Sequence, residues 1–358
     1  MPFVVIADDI TGAAEMAGMA FAHGLPVRLL CVDNYQHCLP IATDTVLVIA
    51  TDTRSMTESE AAAQMRQLGR LITNALVFKK TDSALRGHVI TELEALTQTM
   101  GCQRAIYMPA NPSKGRIIKD GSYYINGVPL HKTGFSFDPE FPAKTSELSK
   151  RFPDAMAHNI LMPDAVSQDD ILRLVSIYQN ETTLFAGAAD LFKAFLPPVQ
   201  CLKDTSIQIK PGERILILCG STLSQPLNLS FATAPIPREV YDGSNSLNTW
   251  NTEAYHTLGS LILTIPYTHR TGKEVAVHLR IAMAEMTKQL VGQHRPDQLI
   301  IEGGATAWAT LKALGWTEFD IVRQAAPGVV QMRAVNGTLV TLKPGSYPWG
   351  GVFEKVKR

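Results

Sequence analysis

Phe3-Val4-Val5-Ile6-Ala7-Asp8-Asp9-Ile10-Thr11-Gly12-Ala13-Ala14 places an apolar run, two adjacent carboxylates and the start of an Ala/Met-rich segment in immediate succession. The stretch reads as a strand, a tight turn and the first turn of a helix. In open α/β sheets ligands collect at the carboxyl ends of the strands, so acids at this turn face a crevice. Asp is also a favoured helix N-cap, which gives one of the pair a purely local reason to be there. The second acid needs another reason.

The same grammar recurs downstream. A helix stop at Gly24-Leu25-Pro26 precedes a strand over residues 27–32, and a third strand over 45–49 runs into a loop carrying Arg54. Thr57 with Glu60 forms a capping-box pattern opening a helix that reaches residue 75. Residues 76–80 form a fourth strand, and Thr81-Asp82-Ser83-Ala84-Leu85-Arg86-Gly87-His88 leads into a helix over 89–100, followed by a strand over 105–108. Residues 109–142 lose the helical period and are rich in Pro, Gly and Asn; within them Asn126-Gly127 is a type I′ hairpin signal. A stretch of that length in a compact domain serves as a lid or binding flap. Strands over 159–162 and 183–186, with a helix over 167–178, resume the alternation.

Residues 196–212 read as a linker, after which the pattern restarts. A strand over 214–219 meets the polar turn Gly220-Ser221-Thr222-Leu223-Ser224, then a short helix over 225–232 and strands over 236–240 and 261–265. Val275, Leu279, Ala282, Met283, Met286 and Leu290 recur at helical spacing and read as core. A strand over 298–301 ends at Glu302-Gly303-Gly304-Ala305-Thr306 before a helix to 314, and strands over 329–335 and 338–342 precede Lys343-Pro344-Gly345. The expected fold is α/β with two domains, 1–200 and 201–358, each a mainly parallel sheet flanked by helices, with the active site in the interdomain cleft.

Composition narrows the function. The 358 residues carry Lys+Arg 33 against Asp+Glu 33, so no overall field favours nucleic acid or an anionic membrane. Five unclustered cysteines without a C-x-x-C pair argue against disulfides or a thiolate metal site, and point to a reducing compartment. With no basic leader and no apolar run near the roughly 18 residues of a membrane span, a soluble cytoplasmic protein is expected. A homo-oligomer stays open.

Three strand ends of the first half deliver Asp8 and Asp9, Arg54, and Lys80 with Asp82, Ser83 and Arg86. Parallel strands bring these loops to one sheet edge, and the cations suit an anionic substrate, because arginine matches a carboxylate bidentately. The loops of the second half are small, uncharged and glycine-bearing. Backbone N–H groups at a helix N-terminus bind anions, and glycine lets phosphate oxygens approach them. There is no G-x-x-x-x-G-K-[ST] and no G-x-G-x-x-G, which excludes a P-loop enzyme and weakens a dehydrogenase reading. The histidines show no metal spacing, so no protein-held metal is expected. A charged half and a phosphate-cradling half together suggest phosphoryl transfer, with Asp8, Asp9 or Asp82 available to orient or deprotonate the attacking hydroxyl.

Ala7-Asp8-Asp9-Ile10-Thr11-Gly12-Ala13, Lys80-Thr81-Asp82-Ser83-Ala84-Leu85-Arg86-Gly87, Pro109-Ala110-Asn111-Pro112 with Gly115-Arg116, Asn126-Gly127-Val128-Pro129-Leu130 and Phe137-Asp138-Pro139 resemble the four-carbon acid sugar kinase family. Gly220-Ser221, Gly303-Gly304-Ala305-Thr306-Ala307, Ala326-Pro327-Gly328-Val329 and Leu342-Lys343-Pro344-Gly345 look like its nucleotide-binding half. The resemblance implies a Mg²⁺- and ATP-dependent kinase acting on the terminal hydroxyl of D-threonate or D-erythronate, with 3-oxo-tetronate the alternative. Asp8, Asp9, Arg54, Lys80, Asp82, Ser83 and Arg86 would meet the substrate, with Asp9 as catalytic carboxylate and Asp82 as second choice. Arg54 and Lys80 or Arg86 would hold the substrate's acid group. Ser221, Gly303, Gly304, Ala305, Thr306 and Gly345 would meet the nucleotide. The segment Pro344-Gly345-Ser346-Tyr347-Pro348 departs from the family's usual Ser-Gly-Asn-Phe-Gly, which keeps a non-catalytic ligand sensor in view.

Overall fold

The structure is a computed structural model that describes residues 1–31, 43–72, 74–138, 140–179, 182–198, 206–220, 227, 229–267, 269, 272–345, 349 and 352–353. The chain divides into two compact units, one of Met1–Pro26 with Val32–Val199 and one of Val27–Cys31 with Gln200–Arg358.

The first unit contains β1 (Phe3–Ala7) and α1 (Ile10–Ala22). The strand that follows, β2 (Val27–Cys31), belongs to the second unit. The first resumes with β3 (Val46–Ala50), α2 (Glu58–Leu71), β4 (Leu76–Lys80), α3 (Val89–Met100) and β5 (Arg104–Met108). The hairpin region holds β6 (Arg116–Lys119), β7 (Ser122–Ile125) and β8 (Val128–Pro129). Then come α4 (Leu148–Arg151), β9 (Ile160–Leu161), α5 (Gln168–Tyr178), β10 (Thr183–Gly187) and α6 (Ala189–Lys193). The main sheet runs β3-β1-β4-β10-β5-β9 and is parallel throughout. A parallel sheet covered on both faces must be apolar on both. Val4 to Ala7 and all of β3 are accordingly buried.

The order places a switch point beside β1. The chain moves outward from β1 to β3, then crosses back so that β4 lies on the other side of β1. The ends of β1 and β4 therefore flank the crevice where such folds bind ligands. Thr57 and Glu60 form the expected capping box of α2, and Ser167 with Asp170 does the same for α5. Residues 109–142 are more ordered than their composition suggests, with β6-β7-β8 forming a separate antiparallel sheet. Asn126 and Gly127 both take positive φ, 49° and 77°, as the I′ turn between β7 and β8 requires.

The second unit contains β2, β11 (Ile215–Cys219), β12 (Ala232–Pro235), α7 (Arg238–Tyr241), α8 (Glu253–Leu258), β13 (Ser260–Thr264), α9 (Lys273–Gln293), β14 (Gln298–Glu302) and α10 (Gly304–Leu314). Three strands close it: β15 (Glu318–Ala326), β16 (Val329–Ala334) and β17 (Leu339–Lys343). Its sheet runs β12-β13-β11-β14-β17-β16-β15-β2, parallel from β12 to β17 and antiparallel beyond. Here too the order reverses, between β11 and β14.

Three expectations are corrected, and one strand is added. Residues 27–31, placed by chain order in the first domain, pair with β15, and Arg28 meets Glu318 across the two strands. Residues 236–240 are not a strand: Pro237 precedes the single helical turn of α7, and the neighbouring strand is β12. Of the helix expected over 225–232, residues 227 and 229–231 are non-helical, and the remainder before Ala232 lies outside the described residues. The strand β15 was not anticipated, although Glu318-Phe319-Asp320-Ile321 alternates exposed and buried as a strand should.

Candidate active site

Asp9 is the N-cap of α1. Its Oδ1 accepts from the Gly12 N–H at 2.9 Å and its Oδ2 from the Thr11 hydroxyl at 2.6 Å. Gly12 is needed for this approach, since a Cβ there would lie 2.7 Å from Asp9 Oδ1. Asp8 faces elsewhere: Arg54 Nε and Nη2 both donate to its Oδ2, at 3.0 and 2.8 Å. The same Nη2 lies 3.2 Å from Asp9 Oδ1 and 3.8 Å from Asp82 Oδ1, so one guanidinium serves three carboxylates.

Asp82 is the most committed of the three. Arg86 donates to it bidentately, with Nε to Oδ2 and Nη2 to Oδ1 both at 2.9 Å, and the Ala84 N–H adds a bond at 2.9 Å. Asp138 takes the far side of Arg86 at 3.4 Å. Lys80 lies 3.7 Å from Glu15 on α1, and Lys114 reaches the same carboxylate at 2.6 Å. Ser83 accepts from Arg116 Nη1 at 2.5 Å, while its carbonyl accepts from the Tyr123 hydroxyl at 2.6 Å. All seven substrate-side residues named from the sequence thus lie on one sheet edge. Glu15, Arg116, Tyr123 and Asp138 join them unannounced. Arg116 and Asp138 stood in motifs already singled out, but nothing in their spacing assigned them partners.

Electrostatics separates the carboxylates. Burial alone would raise the Asp82 carboxyl, but Arg54, Arg86 and Lys80 outweigh it and hold it far below the ordinary carboxylate range. Burial opposes ionisation of Asp9 as well, and Asp82 repels it, yet Arg54, Lys80 and the Thr11 hydrogen bond keep its pKa below normal. Arg54 loses some basicity to burial and regains more from Asp8, Asp9 and Asp82. Asp9, Asp82 and Arg54 are therefore held in their charged forms near neutrality. Side-chain exposure is 18% for Asp9, 3% for Asp8 and 11% for Asp82, which makes Asp9 the carboxylate a ligand can reach.

A pH dependence follows from these shifts. Asp82, Asp9 and Glu15 titrate lower in the folded chain than their ordinary values of 3.8, 3.8 and 4.5. Their contribution to stability is complete above those values and is lost as pH falls through the lower folded pKa values. The melting temperature should fall by several degrees below about pH 4. Melts at matched ionic strength check this: Asp82→Asn should show a shallower acid slope than the parent, and equal slopes would contradict the assignment.

The second unit's loops carry no such charge. Gly303, at φ 98°, precedes α10 without any side-chain cap, which leaves the N–H groups of its first turn free of that partner. Gly220 packs so closely on Thr306 that a Cβ there would sit 2.1 Å from its hydroxyl. The Gly303 N–H donates to the Lys343 carbonyl at 2.9 Å, bringing the end of β17 and Gly345 beside the start of α10. Below these loops Lys343 Nζ pairs with Glu302 Oε1 at 2.5 Å, with both side chains fully buried. Gly303, Gly304, Ala305, Thr306 and Gly345 thus share one edge of this unit, at its own switch point. Ser221 lies outside the described residues. A separate hollow of about 200 Å³ in the first unit, lined in part by Glu94, Cys102 and His158, sits at the amino end of β5, away from the acid–arginine cluster.

The two units are thus α/β sheets, one with a buried acid–arginine cluster and one with an uncapped, glycine-led helix start, each at a topological switch point. Residues 3–160 match the model of a sugar-binding N-terminal domain, and residues 264–347 that of a nucleotide-binding C-terminal domain. The chain is 32% identical to the D-threonate kinase of Cupriavidus necator, over 92% of this chain and 89% of that protein. It is 30% identical to the 3-oxo-tetronate kinase of Brucella melitensis, over 99% and 94%. The chain belongs to the four-carbon acid sugar kinase family. Its alignment with the D-threonate kinase of Salmonella typhimurium, at 30% identity, spans 42% of this chain and 36% of that protein. Among solved structures the fold matches one described as a putative tRNA synthase from Salmonella typhimurium (TM-score 0.74, 19% identity, 97% and 96% covered). A second match is Haemophilus influenzae protein HI1011 (TM-score 0.68, 19%, 96% of each chain). No helix among the described residues is long and apolar enough to cross a membrane.

Proposed function

We propose that the chain is a kinase that phosphorylates the terminal (C4) hydroxyl of a four-carbon sugar acid such as D-threonate or D-erythronate, giving the 4-phospho acid and ADP. The observation that carries this reading is the ion-paired Asp8/Asp9–Arg54–Asp82–Arg86 cluster at the ends of β1 and β4, within the segment that matches a sugar-binding model. ATP supplies the transferable phosphoryl group, and Mg²⁺ the countercharge for its oxygens.

Asp9 orients the attacking hydroxyl and accepts its proton as the new O–P bond forms and the bond to the ADP oxygen breaks. A low pKa suits this role, because phosphoryl transfer passes through a loose transition state in which positioning outweighs proton abstraction. Asp82, saturated by Arg86 and backbone N–H groups, instead fixes the loop that follows β4. The uncapped start of α10 offers N–H donors, and the adjoining glycines Gly220 and Gly345 leave room for close approach of phosphate oxygens. Among the described residues no cluster of three or more His, Cys, Asp or Glu side chains is built to cage an ion. Mg²⁺ in such a reaction is usually held by nucleotide phosphates and water with at most one or two carboxylates.

The test is a coupled ADP-release assay over D-threonate, D-erythronate, their enantiomers and 3-oxo-tetronate, with phosphorus NMR of the product. A C4 phosphomonoester from one acid is expected. The 3-oxo acid as sole substrate would move the assignment to that branch of the family. ATP binding with no product from any acid would favour the ligand sensor, a reading motivated by Ser346-Tyr347-Pro348, which lie outside the described residues.

A further inference from the structure

The proposed substrate brings a carboxylate, and Arg54, Lys80 and Arg86 were the expected holders. Their partners argue otherwise. Arg54 is shared by Asp8, Asp9 and Asp82, Arg86 is clamped between Asp82 and Asp138, and Lys80 and Lys114 share Glu15. A substrate carboxylate at any of these sites would enter next to a resident one, and like charges at such spacing repel strongly in a buried setting.

Arg116 differs. Among the described residues its guanidinium makes no ion pair: Nη1 donates to the Ser83 hydroxyl, and the group lies over the Phe135 ring, 5.8 Å from the centroid. Ser83 directly follows Asp82, so this cation stands on the same edge as the acid cluster. It is half-buried and therefore reachable. Its backbone is also pinned. Arg116 and Asn111 exchange N–H···O bonds of 3.1 and 2.7 Å, Asn111 Oδ1 accepts from the Asp190 N–H, and Asp190 in turn holds both the N–H and hydroxyl of Ser113 at 2.8 Å. The Ser83 hydrogen bond and the Phe135 ring steady the guanidinium above that backbone, so its planar fork is offered at a reduced cost in rotamer entropy.

We propose that Arg116 receives the carboxylate of the sugar acid and so makes the enzyme select acids over the corresponding neutral polyols. The inference rests on the sugar-acid reading above and names a specificity-determining residue for it. The phosphorylated end then lies towards Asp9 and the acid end towards the β6–β7 flap.

The test compares each four-carbon acid with its tetritol, in which the carboxylate is replaced by a primary alcohol, by calorimetric binding without nucleotide and by KM in turnover. Arg116→Gln should weaken the acid about 10–100-fold while leaving tetritol binding unchanged, the range expected for one charge-assisted contact. Arg116→Lys, which keeps the charge but loses the fork, should fall between. Lys119→Gln, on the exposed side of the same strand, is the control expected to match the parent. Circular dichroism melts confirm folding of each variant. An Arg116→Gln protein that still prefers the acid by the parental factor overturns the inference, as does a parent that binds acid and tetritol equally. Because the binding arm needs no turnover, a parent that binds the acid selectively yet phosphorylates none refutes the kinase reading while the Arg116 comparison still decides the inference.

Discussion

Asp9→Asn is expected to lower turnover about 10²–10⁴-fold, the usual weight of a positioned acid–base group. The substitution is unusually clean here because asparagine caps helices about as well as aspartate. Its side-chain oxygen can still accept from the Gly12 N–H, so α1 keeps its start. Arg54 retains Asp8 and Asp82, and the guanidinium need not move. What is lost is the negative charge on the most exposed carboxylate of the cluster. ADP release should collapse with the preferred acid, while ATP affinity stays close to the parent and the melting temperature falls by at most a few degrees. Activity within a few-fold of the parent would remove Asp9 from the chemistry.

The second large effect concerns stability and lies beneath the site. Lys79 and Glu92, 1% and 2% exposed, pair at 2.7 Å inside the first unit, where β4 meets α3. The Thr53 hydroxyl donates to the same Glu92 oxygen at 3.0 Å, and Thr51 bonds to Thr53 and to the carbonyl of Ala7 at the end of β1. The residue after Thr53 is Arg54. Glu92→Leu should destabilise the fold by about 3–5 kcal/mol, because it strands a buried ammonium. The double change Lys79→Met with Glu92→Leu should restore most of that loss, since apolar replacements of a buried pair are often neutral. If the pair also steadies the Arg54 turn, the refolded double variant will melt like the parent yet show a raised KM for the sugar acid. Chemical denaturation of the three proteins measures the stability difference, and a Glu92→Leu change costing under about 1 kcal/mol would mean that Lys79 finds another partner or escapes to water.

Much of this molecule was legible in its letters. The strand–turn–helix grammar, the capping box at Thr57 and the I′ hairpin at Asn126-Gly127 are local signals, set by neighbours in sequence, and they appear where their residues stand. The errors have equally physical origins. Residues 236–240 look like a strand because Ile and Val favour one, but the strand has already ended at Pro235 and Pro237 stands as the N-cap of a helical turn. Val27–Cys31 reads as a strand and is one, yet nothing in its letters reveals that its partner, β15, lies some 290 positions on.

At the site the division is the same. The sequence by itself determined that Asp8 and Asp9 end a strand, that Arg54 and the Lys80–Arg86 loop end two more, and that parallel pairing must gather them. Strand ends and turn chemistry are local signals that need no side-chain geometry. Only the tertiary structure decided how those charges are shared: Asp9 as helix cap and exposed carboxylate, Asp82 locked to Arg86, and Arg116 left with a hydroxyl and a ring in place of an acid. Ion pairing depends on distances of a few ångströms between residues far apart in the chain, and Coulomb energies fall off with separation in space, which sequence separation does not record.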